Sequence, residues 1–267
     1  MQTPPTADES CIAVEQHGTG QPLILLHGGM APRQYWDPVI PHLEEYAAIV
    51  PQRPGFGTCL DDPAETGAAD VLDREADYVR TLVDTIEEPP ILFGHSFGAL
   101  TAIEAATDAA VKAVVAYEPA VLPDAFRKEA DLSVRMAALI DEGNRHEAVK
   151  RYIEQVLHPE GIDDLDVWLD EWPVWPDCVD LAEEVVRMNR AVEQYRLPDQ
   201  LDVEAPVLLL TGTDGPEFLR KGARDVHEAL PESRLVEFDG ISHSGPSEAP
   251  DVIAPEVDIF LETTSIA

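Results

Sequence analysis

Short apolar stretches alternate along this chain with longer stretches in which apolar residues recur at helical spacing, as they do within 79–86. The apolar stretches suit strands buried on both faces and cover residues 23–26, 47–50, 91–93, 111–117, 207–210 and 235–238. A further strand at 12–15, followed by a turn at 17–20, is expected to form a hairpin at the sheet edge. This alternation predicts an α/β protein with a mostly parallel central sheet flanked by helices.

The strand-like stretches stop between residues 123 and 202. Three helical patterns follow one another there, at 132–140, 149–157 and 181–195, with turn-forming residues between them at 143 and 158–161. We therefore predict a core domain formed by residues 1–122 and 203–267, with an all-helical insertion at 123–202.

Composition places the chain among globular proteins. Its 267 residues, 45% of them hydrophobic, fit one α/β domain with an elaboration and exclude wholesale disorder. Cys11, Cys59 and Cys178 form no CxxC pair, which favours a reducing compartment over a disulfide framework. There is no apolar run of about 20 residues and no secretion signal pattern at the start. We expect a cytoplasmic protein.

The charge is strongly negative: 52 Asp and Glu face 18 Lys and Arg, giving a net charge of −34. Nucleic acids and anionic membranes would be repelled, so neither is expected as a partner. The acids are spread along the whole chain, which favours a halophilic surface over attraction of cationic ligands by one acidic segment. Salt shortens the screening length from about 8 Å at physiological strength to about 3 Å at 1 M, and so relieves the repulsion.

The strongest chemical signal is the sequence Gly-His-Ser-Phe-Gly at 94–98, between a predicted strand and an Ala-rich helix. A serine on such a sharp turn is held in a strained conformation that exposes its hydroxyl, and the glycines let strand and helix approach. Ser96 is the candidate nucleophile.

A serine needs a base and a group that orients the base. His243 follows the last predicted strand, at the carboxyl edge of the sheet, and is the candidate base. Two acids compete for the third role, Asp214 after the strand at 207–210 and Glu118 after the strand at 111–117. We favour Asp214, because one helix and one strand separate it from His243 in the usual Ser, Asp, His order.

Acyl transfer also needs hydrogen-bond donors for the developing oxyanion. The amide of Phe97, at the start of a helix, is one candidate. The second is expected in the His-Gly-Gly-Met sequence at 27–30, from Gly29 or alternatively from Met30. The remaining histidines have no metal-ligand spacing, so neither a metal nor another cofactor is predicted.

These motifs resemble the α/β-hydrolase superfamily over almost the whole chain. The matching pieces are His27-Gly28-Gly29, the Arg-Pro-Gly-Phe-Gly sequence at 53–57, Ser96, Asp214 and His243. Gln52 stands where many relatives have Asp, and the Gly-Thr-Asp at 212–214 is one residue shorter than the commoner spacing, which keeps Glu118 as an alternative acid. The resemblance implies that the insertion at 123–202 is a helical cap, and Ser96 argues against the members that use an aspartate nucleophile.

Three of the four tryptophans, Trp168, Trp172 and Trp175, lie in one span of eight residues inside the insertion. The fourth, Trp36, follows the glycine loop. An aromatic core that docks the insertion is the favoured explanation. Together with Met30, these rings are also the predicted lining of a substrate pocket, since both roles are compatible.

The sequence thus predicts a serine hydrolase that cleaves a carboxylic ester, thioester or lactone of a small molecule through an acyl-enzyme. Two alternatives stay open. The same triad serves perhydrolysis, carbon–carbon bond hydrolysis and hydroxynitrile chemistry in related enzymes, and the fold can also serve as a non-catalytic ligand-binding module. The sequence does not fix the oligomeric state.

Overall fold

The computed structural model describes residues 14–30, 32–53, 70–157, 164–172 and 175–264. Within them a seven-stranded sheet has the order β1-β3-β2-β4-β5-β6-β7. The strands are Val14–His17 (β1), Gln21–Leu26 (β2), Tyr46–Pro51 (β3), Ile91–His95 (β4), Ala113–Tyr117 (β5), Val207–Gly212 (β6) and Ser233–Phe238 (β7). All neighbours pair in parallel except β1 and β3. The predicted α/β architecture with a mostly parallel sheet is confirmed.

Helices cover both faces of the sheet, because successive strand residues point to opposite sides. Ile24 and Leu26 of β2 pack in one cluster with α1 (Asp70–Asp84), α2 (Phe97–Ala106) and α8 (Glu217–Ala229). Leu23 and Leu25 pack on the other face, in a cluster with α10 (Pro250–Thr264). A short helix, α9 (Gly245–Glu248), precedes α10. The central strands are therefore buried on both sides and carry continuous apolar runs.

The edge strand differs from its prediction. β1 lies at the sheet edge, but it pairs with β3 and not with β2 in a hairpin. Both sides of β2 are already occupied by parallel partners, β3 and β4. Gly18 and Gly20, with φ of 72° and 127°, take the chain across the start of β3, and a Cβ on Gly20 would lie 2.2 Å from the Glu45 carbonyl oxygen.

Between β5 and β6 the described residues form helices and no strand. After a 3₁₀ segment at Asp124–Glu129, the helices are Leu132–Asp141 (α3), Arg145–Tyr152 (α4) with a wider turn at Ile153–Leu157, Leu165–Glu171 (α5), Trp175–Asp180 (α6) and Ala182–Gln194 (α7). Helices α3 and α7 coincide with predicted patterns, and the pattern at 149–157 falls on the end of α4 and the wider turn that follows it. The predicted break at 158–161 lies outside the described residues. The insertion has its own apolar cluster, which includes Met136, Ile153 and Val185.

The sequence predicts no segment long and apolar enough to span a membrane. Across the described parts of the chain, no helix has both the length and the apolar character needed to cross a bilayer.

The close packing of α2 against β2 can be tested at Gly98. Alanine normally stabilises a helix interior by about 0.5–1 kcal/mol relative to glycine. A Cβ on Gly98 would lie 2.2 Å from the Leu26 carbonyl oxygen, so we expect Gly98→Ala to lower the free energy of unfolding by about 2–3 kcal/mol. Urea denaturation measures this.

Gly143→Ala is the matched control. Gly143 has a φ of 82° and open space around its Cα, so only the backbone strain of about 1 kcal/mol is expected. A Gly98→Ala protein as stable as the unchanged chain would contradict the packing argument.

Candidate active site

Ser96 lies between the end of β4 and the first residue of α2, on the predicted strand-to-helix turn. Its backbone has φ 56° and ψ −117°, a conformation that L-residues rarely adopt. The glycines of the turn are required, because a Cβ on Gly94 would lie 2.3 Å from the Gly98 carbonyl oxygen. The serine is buried at the wall of a cavity.

The pairing of β4 with β5 places Glu118 beside this turn. His95 is in register with Tyr117, and the Ser96 amide donates to the Tyr117 carbonyl over 2.9 Å. Glu118 is the next residue. Its amide donates to the Leu210 carbonyl over 2.9 Å, and its φ of 43° is in the left-handed region. The strained backbone marks the point where β5 ends and the side chain turns into the site.

Glu118 and His243 form a buried hydrogen bond. The His243 Nδ1 to Glu118 Oε2 distance is 2.6 Å, and both side chains are at most 2% exposed. The other carboxylate oxygen accepts from Thr211 Oγ1 over 2.8 Å and from the Gly212 amide over 3.1 Å. Because Nδ1 donates to the carboxylate, Nε2 of the imidazole carries the lone pair that a general base needs.

Asp214 does not contact His243, so the preference for Asp214 over Glu118 is wrong in this geometry. The Asp214 side chain is exposed and accepts from Thr213 Oγ1 over 3.2 Å. Its backbone has a different function, since its amide donates to the Ile241 carbonyl over 3.0 Å and so supports the loop that carries His243. Gly215 faces the site instead, and a Cβ there would lie 2.4 Å from Glu118 Oε1.

Two further side chains hold the backbone of the His243 loop. The Tyr117 hydroxyl donates to the Ser242 carbonyl over 2.5 Å, and His95 Nε2 donates to the His243 carbonyl over 2.9 Å. Burial lowers the pKa of His95 well below its usual value, so its ring is neutral. Tyr35 stacks on that ring with centroids 4.5 Å apart. Sequence reasoning missed these contacts, although His95 and Tyr117 each adjoin a predicted site residue.

The glycine loop after β2 packs directly on the serine turn. A Cβ on Gly28 would lie 3.3 Å from the Ser96 Cβ, and one on Gly29 would lie 3.1 Å from the Tyr152 hydroxyl. Gly29 and Met30 line the same cavity as Ser96. Phe97, the other predicted oxyanion donor, is the first residue of α2, where a backbone amide has no partner within its own helix.

The buried side chain of Arg53 holds the glycine loop on the side away from the cavity. Its Nη1 donates to the carbonyls of His27 and Gly28 over 2.5 and 3.3 Å. Its Nε pairs with Glu75 over 3.0 Å, and both partners are almost completely buried. Burial, followed by the charge of Arg53, lowers the pKa of His27 to about 3, so its ring is neutral near pH 7. The other residues of the 53–57 motif lie outside the described residues.

The site opens into a cavity of about 330 Å³ between the core loops and the insertion. Of the five predicted pocket residues, Met30, Trp168 and Trp172 line it. The rings of Trp168 and Trp172 stack with centroids 5.3 Å apart. The sequence did not identify the other aromatic and polar lining residues, which include Gln34, Tyr35, Tyr152, Ser244, Ser247 and Glu248.

Trp36 and Trp175 are not at the cavity, which corrects their assignment to the pocket. Trp36 is fully buried on the face of the sheet that packs against α10. Its ring contacts Phe93, with ring centroids 5.0 Å apart. Trp175 packs in the apolar cluster of the insertion, edge-on to His146. Tryptophan side chains are commonly buried in a hydrophobic core, so the presence of a tryptophan in the sequence does not by itself identify a pocket residue.

The described part of the chain contains no group of three or more His, Cys, Asp or Glu residues suited to a metal ion. Cys178 is buried, and burial raises the pKa of its thiol to about 12. Cys11 and Cys59 lie outside the described residues.

A family model described as "Alpha/beta hydrolase family" matches residues 23–256. The chain belongs to this family, and it is an enzyme of the hydrolase type. A serine nucleophile is implied by the family.

Individual relatives agree with this class. The chain is 25% identical, over 93% of each sequence, to (E)-2-((N-methylformamido)methylene)succinate hydrolase of Acinetobacter baylyi. It is 33% identical to pimeloyl-[acyl-carrier protein] methyl ester esterase of Legionella pneumophila, over 36% of each chain. The solved structure of an alpha/beta hydrolase from Sphaerobacter thermophilus matches with a TM-score of 0.78 and 25% identity, covering 98% of this chain and 99% of that one.

The two candidate acids can be separated by a pair of isosteric changes. We expect Glu118→Gln to lower kcat about 10³- to 10⁴-fold, because an amide at this position no longer fixes the tautomer or stabilises the imidazolium. Asp214→Asn should change kcat less than threefold, because its exposed side chain does not reach His243. Steady-state rates on p-nitrophenyl esters measure both.

Circular dichroism should show that both variants fold. A folded Asp214→Asn protein that loses as much activity as Glu118→Gln would contradict the assignment of the acid.

Proposed function

We propose that this hydrolase cleaves a carboxylic ester, thioester or lactone through an acyl-enzyme formed on Ser96. The observation that carries the proposal is the 2.6 Å contact between Glu118 and His243, whose ring lines the same cavity as Ser96. The Legionella relative, a methyl ester esterase, supports ester chemistry over the part of the chain it matches.

In the proposed mechanism, Ser96 Oγ attacks the acyl carbon while its proton passes to His243 Nε2. Collapse of the tetrahedral intermediate breaks the bond to the leaving group, which takes that proton. Water, deprotonated by the same imidazole, then attacks the acyl-enzyme. The bond to Ser96 Oγ breaks, Oγ takes the proton back from the imidazolium, and the acid is released. Glu118 acts as the orienting carboxylate, since it accepts the Nδ1 hydrogen bond and stabilises the positive charge that forms on the ring.

We assign the oxyanion donors to the backbone amides of Phe97 and Gly29. The packing of Gly28 against Ser96 supports this, because it brings the glycine loop onto the nucleophile. Arg53 binds two carbonyls of the glycine loop, and in this proposal it thereby keeps the amides of that loop directed toward the site. Fixed donors of this kind contribute about 2.7–4 kcal/mol each to transition-state stabilisation.

The insertion serves as the cap in this proposal. Tyr152, Leu157, Trp168 and Trp172 belong to it and line the cavity opposite the core loops. An apolar cover excludes water and strengthens the electrostatic interactions inside the site.

Replacing the nucleophile tests the mechanism directly. Ser96→Ala should lower kcat on p-nitrophenyl acetate by about 10⁴-fold or more, because the residual rate comes only from binding and the oxyanion donors. A fluorophosphonate should label the unchanged protein covalently at Ser96 and leave the variant unlabelled, as detected by intact mass spectrometry.

The control is Thr101→Ser, which removes one methyl group from a side chain of α2, the helix that follows Ser96. This variant should be labelled normally. Near-full activity of Ser96→Ala would refute the acyl-enzyme. A folded, unlabelled parent protein would instead favour a ligand-binding function.

We also propose that the acidic surface is an adaptation to a salty environment. The formal charge of −34 leaves most carboxylates without a cationic partner. Several ion pairs on the surface, such as Arg135 with Asp131 and Lys221 with Asp225, lie within one helix and therefore neutralise local charge only. The remaining repulsion is long-range and sensitive to screening.

This proposal predicts a strong dependence of stability on salt. The midpoint of thermal unfolding should rise by several degrees between 0.1 M and 2 M KCl, because screening reduces repulsion among the surface carboxylates in the folded state. Scanning calorimetry measures it, and a neutral solute of equal osmolality is the control. Equal midpoints in the two KCl concentrations would contradict the proposal.

A further inference from the structure

The distribution of positive charge restricts the substrate. All 18 Lys and Arg residues of the chain fall within the described ranges, so each one can be located relative to the cavity. None of them lines it.

The cations nearest in sequence to the cavity wall are engaged elsewhere. Arg33 pairs with Glu15 over 3.2 Å, and Arg151 pairs with Glu147 over 2.8 Å. Arg53 lies behind the glycine loop, where it holds loop carbonyls and the buried Glu75.

Among the residues that the structure describes, the charged side chain that does line the cavity is negative. Glu248 is exposed at the wall and accepts a hydrogen bond from Ser242 Oγ over 2.6 Å. Its charge reaches the aromatic wall as well: burial first, and Glu248 in addition, raise the pKa of the Tyr35 hydroxyl. The other polar lining groups outside the triad, such as Gln34 and Ser247, are uncharged.

A carboxylate brought into this cavity would lose hydration and gain no cationic partner, which is costly. It would also be repelled by the Glu248 carboxylate at the same wall. An apolar chain meets the opposite conditions, because the stacked rings of Trp168 and Trp172 offer it a large apolar surface. A cationic group could also lie against these rings, whose faces attract cations.

From these observations, and resting on the proposed ester hydrolysis at Ser96, we propose that the physiological acyl group carries no carboxylate and that Glu248 is a specificity-determining residue that rejects anionic substrates. The substrate class is therefore an ester of an uncharged or cationic acid. This separates the chain from its Acinetobacter relative, whose name specifies a succinate derivative.

Three p-nitrophenyl esters of equal chain length test the proposal. Their acyl groups end in methyl (hexanoate), carboxylate (adipate) or trimethylammonium, and each kcat/KM is divided by the rate of hydroxide hydrolysis of the same ester. Measurements in 2 M KCl screen the long-range field of the whole protein. We expect the carboxylate ester to be about tenfold slower than the methyl ester, and the trimethylammonium ester to be at least one third as fast as it.

Glu248→Gln should raise the relative kcat/KM of the carboxylate ester at least threefold. The matched control is Glu232→Gln, which removes the same charge at the exposed residue just before β7, on the opposite edge of the sheet, and should leave the ratio unchanged. A carboxylate ester less than threefold slower than the methyl ester, or equal effects of the two variants, would overturn the proposal.

Failure of the ester chemistry itself would be recognised separately. If no ester is turned over, or if Ser96→Ala remains active, the proposed function fails. The charge inference is then tested by calorimetric binding of hexanamide and adipamate to the Ser96→Ala protein. Tighter binding of the uncharged amide supports it, and equal or tighter binding of adipamate overturns it.

Discussion

The hydrogen bond between Glu118 and His243 joins two segments that are 125 residues apart in the chain, and it forms without solvent access. The His243 imidazole can act as a base at Nε2 only if the ring is held in the tautomer that has its proton on Nδ1. Several neighbouring contacts contribute to that condition. Thr211 and the Gly212 amide orient the carboxylate, and the loop after β6 supports the loop that carries His243.

The surroundings of this bond explain several costly features of the fold. Ser96 and Glu118 both adopt positive φ, and both adjoin the paired ends of β4 and β5. His27 and His95 are buried as neutral rings, and Arg53 is buried against Glu75. Such strain and burial destabilise a protein and persist where the surrounding packing enforces them. Here they hold the glycine loop, the serine turn and the histidine loop against one another.

The charge of the protein acts on two length scales. On the surface, the large excess of carboxylates is the basis of the proposed dependence of stability on screening. At the cavity, the position of individual charges matters more than their sum, because the nearest charges act most strongly on a bound group and distant ones are screened. Arg53 fixes loop carbonyls and a buried carboxylate, and among the described residues the cavity wall contains aromatic rings, uncharged polar groups and Glu248.

The order of strands and helices, the serine turn and the histidine after the last strand were all predictable from the sequence, because they depend on local patterns: apolar periodicity, glycine spacing and position at a strand end. The choice between Asp214 and Glu118 was not, since both follow parallel strands at the same sheet edge. Strand register and the direction of each turn decided it, leaving Asp214 exposed and Glu118 buried. The same holds for the tryptophans, because whether a ring lines a cavity or fills a core depends on which elements meet there, and that is set by packing between residues distant in the chain.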